Sequence, residues 1–316
     1  MVIAAGYGQL QPVFVLGTGQ WVSAAAEQMV GADIDKVNQL RDHFPFYPLS
    51  RSSTVVIPRV TGLASAQFTD PQSPATDDTT SKLAEPPADV TMASLEGSVN
   101  AANYAVDVQS YSIDQLDLQI EFKKIAIRIA FWTQFFRPRS PNGFEGLPDL
   151  VDPAQMQPLG RNLALNDMDL LVARVTEAES EMDRRIIVMN RQIFVDFVQL
   201  VRATGATMSY TTLNGRRYAA HNGVPILVCD FVQEESGQGP GADVWCMTMG
   251  VEDNGVFGVV PEGVGDAGLV IEHVQGAVDT ASVVYRLRWY CSVVLGHKRG
   301  LAGLADVQPT DQVAPI

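Results

Sequence analysis

The feature that most constrains the fold of this chain is a long apolar helix signal between Ser112 and Arg137. Ser112 and Gln115 have the spacing of a capping box, and Pro138 is expected to end the helix after Arg137. A helix of about 24 residues is roughly 36 Å long. Two apolar rows run along it: Leu118, Phe122, Ile125, Ile129, Trp132 and Phe136 form the row expected in the core, and Ile113, Leu116, Ile120, Ile127, Phe131 and Phe135 form a second row beside it. Two apolar rows on one helix need packing partners along two of its faces. Other parts of the chain, or of another chain, must therefore pack against each face.

A long protruding hairpin is predicted before this helix. Thr54–Val60 is β-branched and strand-like, and a second strand signal alternates apolar and polar residues around Tyr104, Val106 and Val108. Between them, Thr69–Asp89 is rich in proline, aspartate, serine and threonine. Such a long polar insertion is unusual inside a compact domain, so we expect it either to serve a partner or to be disordered in the free subunit.

The N-terminal region is predicted to form an extended arm. A short helix signal at Trp21–Val30 is followed by His43–Pro48, whose prolines are expected to prevent regular strand pairing.

The sequence shows neither a secretory signal nor a membrane span. The first basic residue is Lys36, so the positively charged start of a secretory signal is missing. No stretch has the roughly 18 uninterrupted apolar residues of a membrane span, since Lys123 and Lys124 break the longest one.

Helices and strands alternate after the long helix without forming a repeat. Asn166 and Asn190 are candidate N-caps of two helices, and the second helix is expected to end at Gly205. The strand signals lie at Ile186–Val188, Val224–Val228, Val244–Thr248 and Val283–Val294. Because no run of βαβ units is visible, the predicted fold class is α+β.

The composition is that of a globular protein and does not favour a dedicated nucleic-acid-binding function. The chain has 316 residues, 46% of them hydrophobic, and carries 36 acidic against 22 basic side chains, which gives a net charge of −14. Its three cysteines, Cys229, Cys246 and Cys291, have neither disulfide nor zinc spacing, which indicates a reducing, cytoplasmic site of synthesis. The four histidines include no pair with metal-ligand spacing. The sequence therefore predicts no catalytic residue, cofactor or metal ion.

Two weak enzyme signals remain. Cys291 and His297 could form a nucleophile pair, but a free cysteine in a strand is more often a small buried hydrophobe. Gly237–Gly241 is glycine-rich but lacks the Lys-Ser/Thr of a phosphate-binding loop. A soluble enzyme that uses one of these features is kept as the least favoured alternative.

Charge is distributed unevenly along the chain. Residues 60–121 hold ten acidic and one basic side chain, and residues 218–285 hold ten acidic and no basic ones, which leaves a net charge of +5 on the rest. The segments are either ordinary solvated faces or complementary surfaces through which subunits associate. In the second interpretation the intersubunit cations are Lys82, Lys123, Lys124, Arg128, Arg137, Arg139, Arg286 and Arg288.

The order of these elements resembles a known family. The sequence runs from an arm through an acidic hairpin and the long helix to the loop Asn142–Leu147, the strand Ile186–Asn190, the segment Asn222–Ile226 and an alternating C-terminal strand. Over residues 50–308 this order resembles the major capsid protein of tailed double-stranded DNA phages, of the Hong Kong 97 type. Each motif is short, and their order and spacing carry the resemblance.

The resemblance implies a division of the chain. It assigns residues 1–53 to an N-arm, 54–111 to an extended E-loop and peripheral-domain strands, 112–147 to the spine helix of a peripheral domain, 148–270 to an axial domain, and 271–316 to peripheral return strands with a C-terminal tail.

The implied function is structural. Copies would form hexamers and pentamers that close into an icosahedral virion shell around packaged DNA, without sequence-specific DNA contacts and without a membrane. A separate scaffolding protein, a portal and an optional decoration protein are the implied partners. Lys82 is the only lysine in the hairpin, and no partner residue for a cross-link is matched near the C-terminal strand, so non-covalent stabilisation is expected.

An encapsulin-like nanocompartment is the main alternative. It shares this fold but holds enzyme cargo, and it implies a cargo-peptide groove and no portal. Neighbouring genes for a terminase and a portal would favour the phage interpretation instead.

Overall fold

The computed structural model describes residues 2–3, 14–15, 37–49, 54–57, 60–62, 82–83, 88–102, 112–175, 184–232, 242–251, 254–265, 268–274 and 282–309. The helices in these ranges are α1 (Ser112–Phe135), α2 (Leu147–Leu150), α3 (Leu165–Arg174) and α4 (Arg191–Ala203). Short 3₁₀ turns lie at Leu40–Asp42, Pro153–Gln155 and Lys298–Gly300.

Strands outnumber helices in the same ranges. They are β1 (Val2–Ile3), β2 (Phe14–Val15), β3 (Phe46–Leu49), β4 (Thr54–Ile57), β5 (Val60–Gly62), β6 (Lys82–Leu83), β7 (Ala88–Thr91), β8 (Ala93–Ala102), β9 (Met156–Pro158), β10 (Arg185–Met189), β11 (Ser209–Leu213), β12 (Arg216–His221), β13 (Val224–Val228), β14 (Ala242–Thr248), β15 (Val256–Pro261), β16 (Leu269–Val274), β17 (Ser282–Leu295) and β18 (Leu301–Val307). Parallel and antiparallel pairs are mixed, so the predicted α+β class is confirmed.

One sheet, here called the large sheet, has the order β11-β12-β13-β10-β14-β18-β9 among the described strands. Its central strand β10 is buried along its whole length, and successive residues face different cores. Ile187 and Met189 pack with α3 and α4, whereas Ile186 and Val188 pack with the aromatic core on the other face. This alternation is the two-residue period of a strand covered on both faces.

A second sheet, here called the small sheet, is built around β17. β17 pairs antiparallel with β8 from Ser282 to Cys291 along one edge, and with β16 and then β15 along the other. β3 extends this sheet by pairing in parallel with β15. The helix α1 lies against β8 and β17, which places the long helix on the small sheet.

The predicted hairpin is present as two antiparallel pairs. β4 pairs with β7, so that Thr54 lies opposite Thr91, and β5 pairs with β6 further along. The returning strands of the hairpin are therefore β6 and β7, which lie before the position expected from the sequence, whereas β8 pairs with β17 of the small sheet. The predicted strand at Tyr104–Val108 and the predicted helix at Trp21–Val30 lie outside the described residues.

Two helix boundaries differ from the sequence prediction. The helix α1 ends at Phe135 rather than Arg137, because a residue before proline is disfavoured in helical conformation and the chain turns before Pro138. Asn166 is not an N-cap: α3 begins at Leu165, and the Asp167 carboxylate accepts a hydrogen bond from the Ala164 amide at 2.9 Å.

Other local predictions agree with the structure. Asn190 caps α4 through a 2.8 Å hydrogen bond from the Ile193 amide, and Gly205 has the positive φ of a helix terminus. The strand Val224–Val228 has the predicted bounds.

Within the described part of the chain, no helix combines the length and apolar character needed to cross a bilayer.

Strand pairing crosses the proposed domain limits. β18, from the segment assigned to peripheral return strands, pairs with β14 in the large sheet. β15, from the segment assigned to the axial domain, pairs with β17 in the small sheet. The division at residue 270 stays a prediction, and the two sheets are used below as the structural units.

Removing the Phe131 side chain tests the position of the core on α1. Phe131 is 0% exposed, so Phe131→Ala leaves a cavity and is expected to lower the free energy of unfolding of the dissociated subunit by about 3 to 5 kcal/mol. Phe122→Ala, on a half-buried position of the same helix, is the matched control and is expected to cost clearly less. Guanidinium denaturation followed by fluorescence measures both, and equal losses would contradict this placement of the core.

Candidate assembly surface

Residues 37–49, here called the strap, connect the two sheets. At one end the Gln39 amide donates to the Val228 carbonyl at 3.0 Å, and the Asp230 amide donates to the Val37 carbonyl at 2.8 Å. The Asp230 carboxylate also accepts from the Val37 amide at 2.9 Å. At the other end the strap becomes β3 in the small sheet. A change in the relative position of the sheets must therefore strain or break contacts of the strap.

Between its ends the strap packs its aromatic residues against α1. The Phe44 ring lies 5.7 Å from Trp132 and 5.1 Å from Phe135, both edge-to-face, and Phe46 lies 5.6 Å from Phe131. Gly258 of β15 makes this approach possible, since a Cβ there would lie 2.4 Å from the Phe46 ring. Aromatic contacts of this kind add to the free energy of apolar burial.

A groove with a cavity of about 300 Å³ opens between the strap, α1 and the small sheet. Its walls are apolar and largely aromatic, and its cationic side chains come from the strap and α1. The lining residues are Arg41, Phe46, Lys124, Ile127, Arg128, Phe131, Trp132, Leu269 and Trp289. This combination favours an apolar ligand group that carries negative charge at one end.

The three cations of the groove differ in their surroundings. Lys124 Nζ lies 2.6 Å from the Glu121 carboxylate, and Arg41 Nε lies 3.3 Å from the Asp42 carboxylate. Arg128 is exposed on α1, one helical turn from Lys124. Lys124 and Arg41 are thus partly neutralised, and Arg128 is the side chain best placed to contact an anionic group.

The predicted core row on α1 is buried only toward its C-terminal end. Trp132 is 6% exposed and Phe136 is 5% exposed, whereas Phe122, Ile125 and Ile129 are half-buried. The Leu118 side chain lies outside the described part of the structure. The second row is buried more completely at Ile127, Phe131 and Phe135.

The half-buried row gives α1 two faces with different roles. The second row belongs to the core of the subunit, and the first row leaves apolar area in contact with solvent. Exposed apolar surface next to polar residues is typical of protein interaction sites. We expect contact with another chain along this part of α1.

Several predicted intersubunit cations contact groups of their own chain. The Lys123 side chain crosses β8 at Gly97, where a Cβ would lie 2.5 Å from Lys123 Cδ. Arg139 Nη1 lies 3.9 Å from the Glu145 carboxylate, and the Arg139 amide donates to Asp149 at 2.6 Å.

Arg288 links the strands of the small sheet. Its Nε lies 3.2 Å from the Glu96 carboxylate of β8, and its Nη1 lies 3.4 Å from the Glu272 carboxylate of β16. Burial alone lowers the pKa of Arg288, but Glu272, Tyr290 and Glu96 together outweigh it and the pKa is raised. Arg288 therefore stabilises the sheet of its own subunit.

The remaining predicted cations differ in how far the structure describes them. Arg137 and Arg286 are exposed, and Lys82 lies in β6 with its side chain outside the described part of the structure. A role for any of the eight cations between subunits stays a prediction.

The structure does not favour the enzyme signals. Cys291 is 0% exposed in the aromatic core, and burial raises the pKa of its thiol, which opposes formation of the nucleophilic thiolate. His297 is exposed and accepts a hydrogen bond from the Arg299 amide. Gly237–Gly241 lies outside the described residues, and in the described ranges no three histidine, cysteine or carboxylate side chains are grouped as metal ligands.

Sequence reasoning missed the groove and the docking of the strap on the large sheet. The aromatic run at residues 43–48 was visible, but its partners on α1 and β17 are distant in sequence. The expectation that the prolines of residues 43–48 prevent strand pairing is wrong, since Phe46–Leu49 pairs in parallel with β15. The surplus of aromatic residues in this segment is the signal that could have indicated its packing partners.

Comparison with known proteins identifies the family. The family model of the type 2A encapsulin shell protein, SrpI-like, matches residues 145–310, just over half of the chain. The chain belongs to this SrpI-like family. It is therefore a capsid-like shell protein by family.

Solved structures show that the fold is shared with both encapsulins and virus capsids. The holo-SrpI encapsulin complex from Synechococcus elongatus PCC 7942 matches with a TM-score of 0.71 at 19% identity, covering 96% of this chain and 99% of that one. The capsid of an empty GTA particle matches with a TM-score of 0.62 at 13% identity, covering 84% and 89%. A structure of Mycobacterium phage Patience matches with a TM-score of 0.56 at 11% identity, covering 92% and 88%. The predicted Hong Kong 97-type capsid fold is confirmed.

No curated protein sequence matches the chain. The fold and the shell-protein family are thus shown, while a tailed-phage origin and a virion location are not confirmed. Because these structural relatives are less than 25% identical to the chain, they establish its fold alone.

The anionic dye 8-anilinonaphthalene-1-sulfonate, which combines aromatic rings with a sulfonate, tests the groove of this SrpI-like protein. Arg128→Glu reverses the charge beside the apolar walls and is expected to weaken dye binding several-fold. Arg286→Glu makes the same change at an exposed position of β17 that does not line the groove, and it serves as the control. A fluorescence titration measures both affinities. Equal affinities for the two variants, or no dye binding by the unaltered protein, would contradict an open anion-accepting groove.

Proposed function

We propose that copies of this chain assemble through hexamers and pentamers into a closed icosahedral shell of the encapsulin type, which holds protein cargo in the cytoplasm. The observation that carries this proposal is the family match, together with alignment over nearly the full length of both this chain and the SrpI shell protein. The role is mechanical, and no catalytic step is assigned to the chain.

The surface of the subunit supports assembly. Phe122, Ile125 and Ile129 leave apolar area on α1 that a neighbouring copy would cover. The half-buried row lies next to β8 of the small sheet, since α1 packs on β8. A neighbouring copy that contacts one of them therefore also has access to the other.

The groove is the candidate docking site for a cargo segment. A peptide with an aromatic or aliphatic side chain fits its walls, and carboxylates beside that side chain would pair with Arg128 and its neighbouring cations. Its position between the strap and α1 also means that a bound segment contacts two elements of the subunit. Specificity would then come from the apolar pocket and orientation from the charges.

A phage capsid is the second candidate, and the capsid relatives favour it. The empty GTA capsid and phage Patience share the fold over most of their length. In that case the shell would enclose DNA and would need a scaffolding protein and a portal. The acidic composition is compatible with this role, because packaged DNA must slide along the wall rather than bind it.

Expression of the chain alone, in a host without phage genes, separates these functions. The encapsulin type is expected to form closed particles without a scaffolding protein, and to protect no nucleic acid after nuclease treatment and a salt wash. Negative-stain images and the ratio of absorbance at 260 and 280 nm measure the two properties. Open sheets or free capsomers that close only with a scaffolding protein, or protected DNA, would support the phage interpretation, and a small oligomer would contradict both.

Cargo loading is tested in the same particles. The tagged product of the adjacent gene is co-expressed with the unaltered chain, with Arg128→Glu and with Arg286→Glu. Loss of the tagged protein from intact Arg128→Glu particles, with loading kept in Arg286→Glu, supports the groove. Equal loading of both variants would remove the groove from the proposal without affecting the shell.

A further inference from the structure

A histidine of the strap lies between two residues of the hairpin β11–β12. His43 Nε2 is 2.8 Å from the Tyr218 hydroxyl, and His43 Nδ1 is 3.0 Å from Asn214 Nδ2. The His43 and Tyr218 rings also meet edge-to-face at 5.3 Å. Tyr218 is 8% exposed, so the contact reaches from the surface turn at Asn214 into the core.

An ion pair lies directly beside this histidine. Arg216 Nη1 donates to the Asp42 carboxylate at 2.5 Å, and Arg41 Nε donates to the other oxygen of that carboxylate at 3.3 Å. The described charged and titratable groups around His43 are therefore Arg41 and Asp42 on the strap, and Arg216 and Tyr218 on the hairpin. Asn214 completes the contact as an uncharged donor.

The hydrogen-bond pattern selects the neutral form of His43. An amide nitrogen is a donor only, so Asn214 Nδ2 requires a lone pair on Nδ1, and the ring proton must lie on Nε2, where it is donated to Tyr218. Protonation converts Nδ1 into a donor that faces another donor. It also places a positive charge beside Arg216. Both changes weaken the contact unless the Asn214 amide turns over.

We propose that His43 is a proton-sensitive clasp, which holds the hairpin β11–β12 on the strap while it is neutral and releases it when the ring is protonated. The proposal concerns the single subunit and does not depend on the proposed shell. Because the strap also carries Phe44 and Phe46 into the contact with α1, the clasp connects the edge of the large sheet to the wall of the groove.

The environment of the two titrating groups supports this. Burial lowers the pKa of His43, and Arg216 lowers it further, against an opposing effect of Asp42. Burial raises the pKa of Asp42, but the hydrogen bonds and charges of Arg216 and Arg41 outweigh it, and the pKa is lowered. Asp42 thus stays ionised over the range in which His43 takes up its proton.

The sign of the pH effect follows from linkage. A histidine whose pKa is lowered by folding stabilises the closed contact fully above the ordinary value of about 6.5, and this stabilisation decreases as the pH falls below that value. One proton is taken up for each opening, so the opening equilibrium rises by at most about tenfold per pH unit.

Hydrogen exchange of the full-length protein between pH 7.5 and 5.0 tests the clasp. After correction for intrinsic exchange, amides of the hairpin, residues 209–221, are expected to open more as the pH falls, with a slope of up to one proton per site. His43→Gln retains polar groups without a proton uptake in this range, and its hairpin opening is expected to be independent of pH. His273→Gln, at an exposed histidine of β16, is the control and is expected to keep the slope of the unaltered protein.

A second variant keeps the test decisive if His43→Gln does not fold. Asn214 has a φ of +48°, which glycine adopts without strain, so Asn214→Gly removes only the amide partner of Nδ1. Its hairpin is expected to be more open at neutral pH and to show a smaller slope, because protonation then costs no hydrogen bond. A slope that is unchanged in Asn214→Gly and His43→Gln, or absent in the unaltered protein, would overturn the proposal.

Discussion

The contact of Phe131 with the aromatic rings around it is the constraint on which the arrangement of this subunit depends. Its ring lies 5.0 Å from Trp289 of the small sheet, 5.1 Å from Phe144 after α1 and 5.6 Å from Phe46 of the strap. One fully buried side chain thus joins the long helix, the small sheet and the N-terminal strap. The groove and the half-buried face of α1 are apolar parts of this helix that the described residues of the subunit leave partly uncovered.

The strap explains how distant parts of one chain act together. It is held to the large sheet by main-chain hydrogen bonds at Gln39 and by polar side chains at Asp42 and His43, and to α1 by apolar contacts. Of these contacts, only that of His43 is proposed to respond to pH, because the main-chain hydrogen bonds, the ionised Asp42 and the aromatic contacts do not change protonation in the range in which His43 takes up its proton. A shell built from such subunits could therefore change the contacts of the large sheet while the helix and the small sheet keep theirs.

Local features were predictable from the sequence, and long-range ones were not. The Asn190 cap, the strand Val224–Val228 and the existence of α1 follow from short-range chemistry that the sequence displays directly. Which of the two apolar rows of α1 is buried depends on the surfaces that pack against each row. Phe46 and Trp289, which contact Phe131, are about 85 and 158 positions away from it in the sequence. The spacing of apolar residues within α1 does not encode such long-range contacts. The groove was missed for the same reason. The order of elements did predict the capsid fold, but this fold is shared by phage capsids and encapsulins, so the order does not separate them.

A cryo-electron microscopy reconstruction of the purified protein at side-chain resolution tests the central claim, that this chain is a shell subunit whose α1 is completed by a neighbouring copy. We expect a closed icosahedral particle in which Phe122, Ile125 and Ile129 are buried against another subunit. A closed particle that leaves these side chains in solvent would contradict the assigned assembly surface. A small oligomer without a closed shell would contradict the function itself.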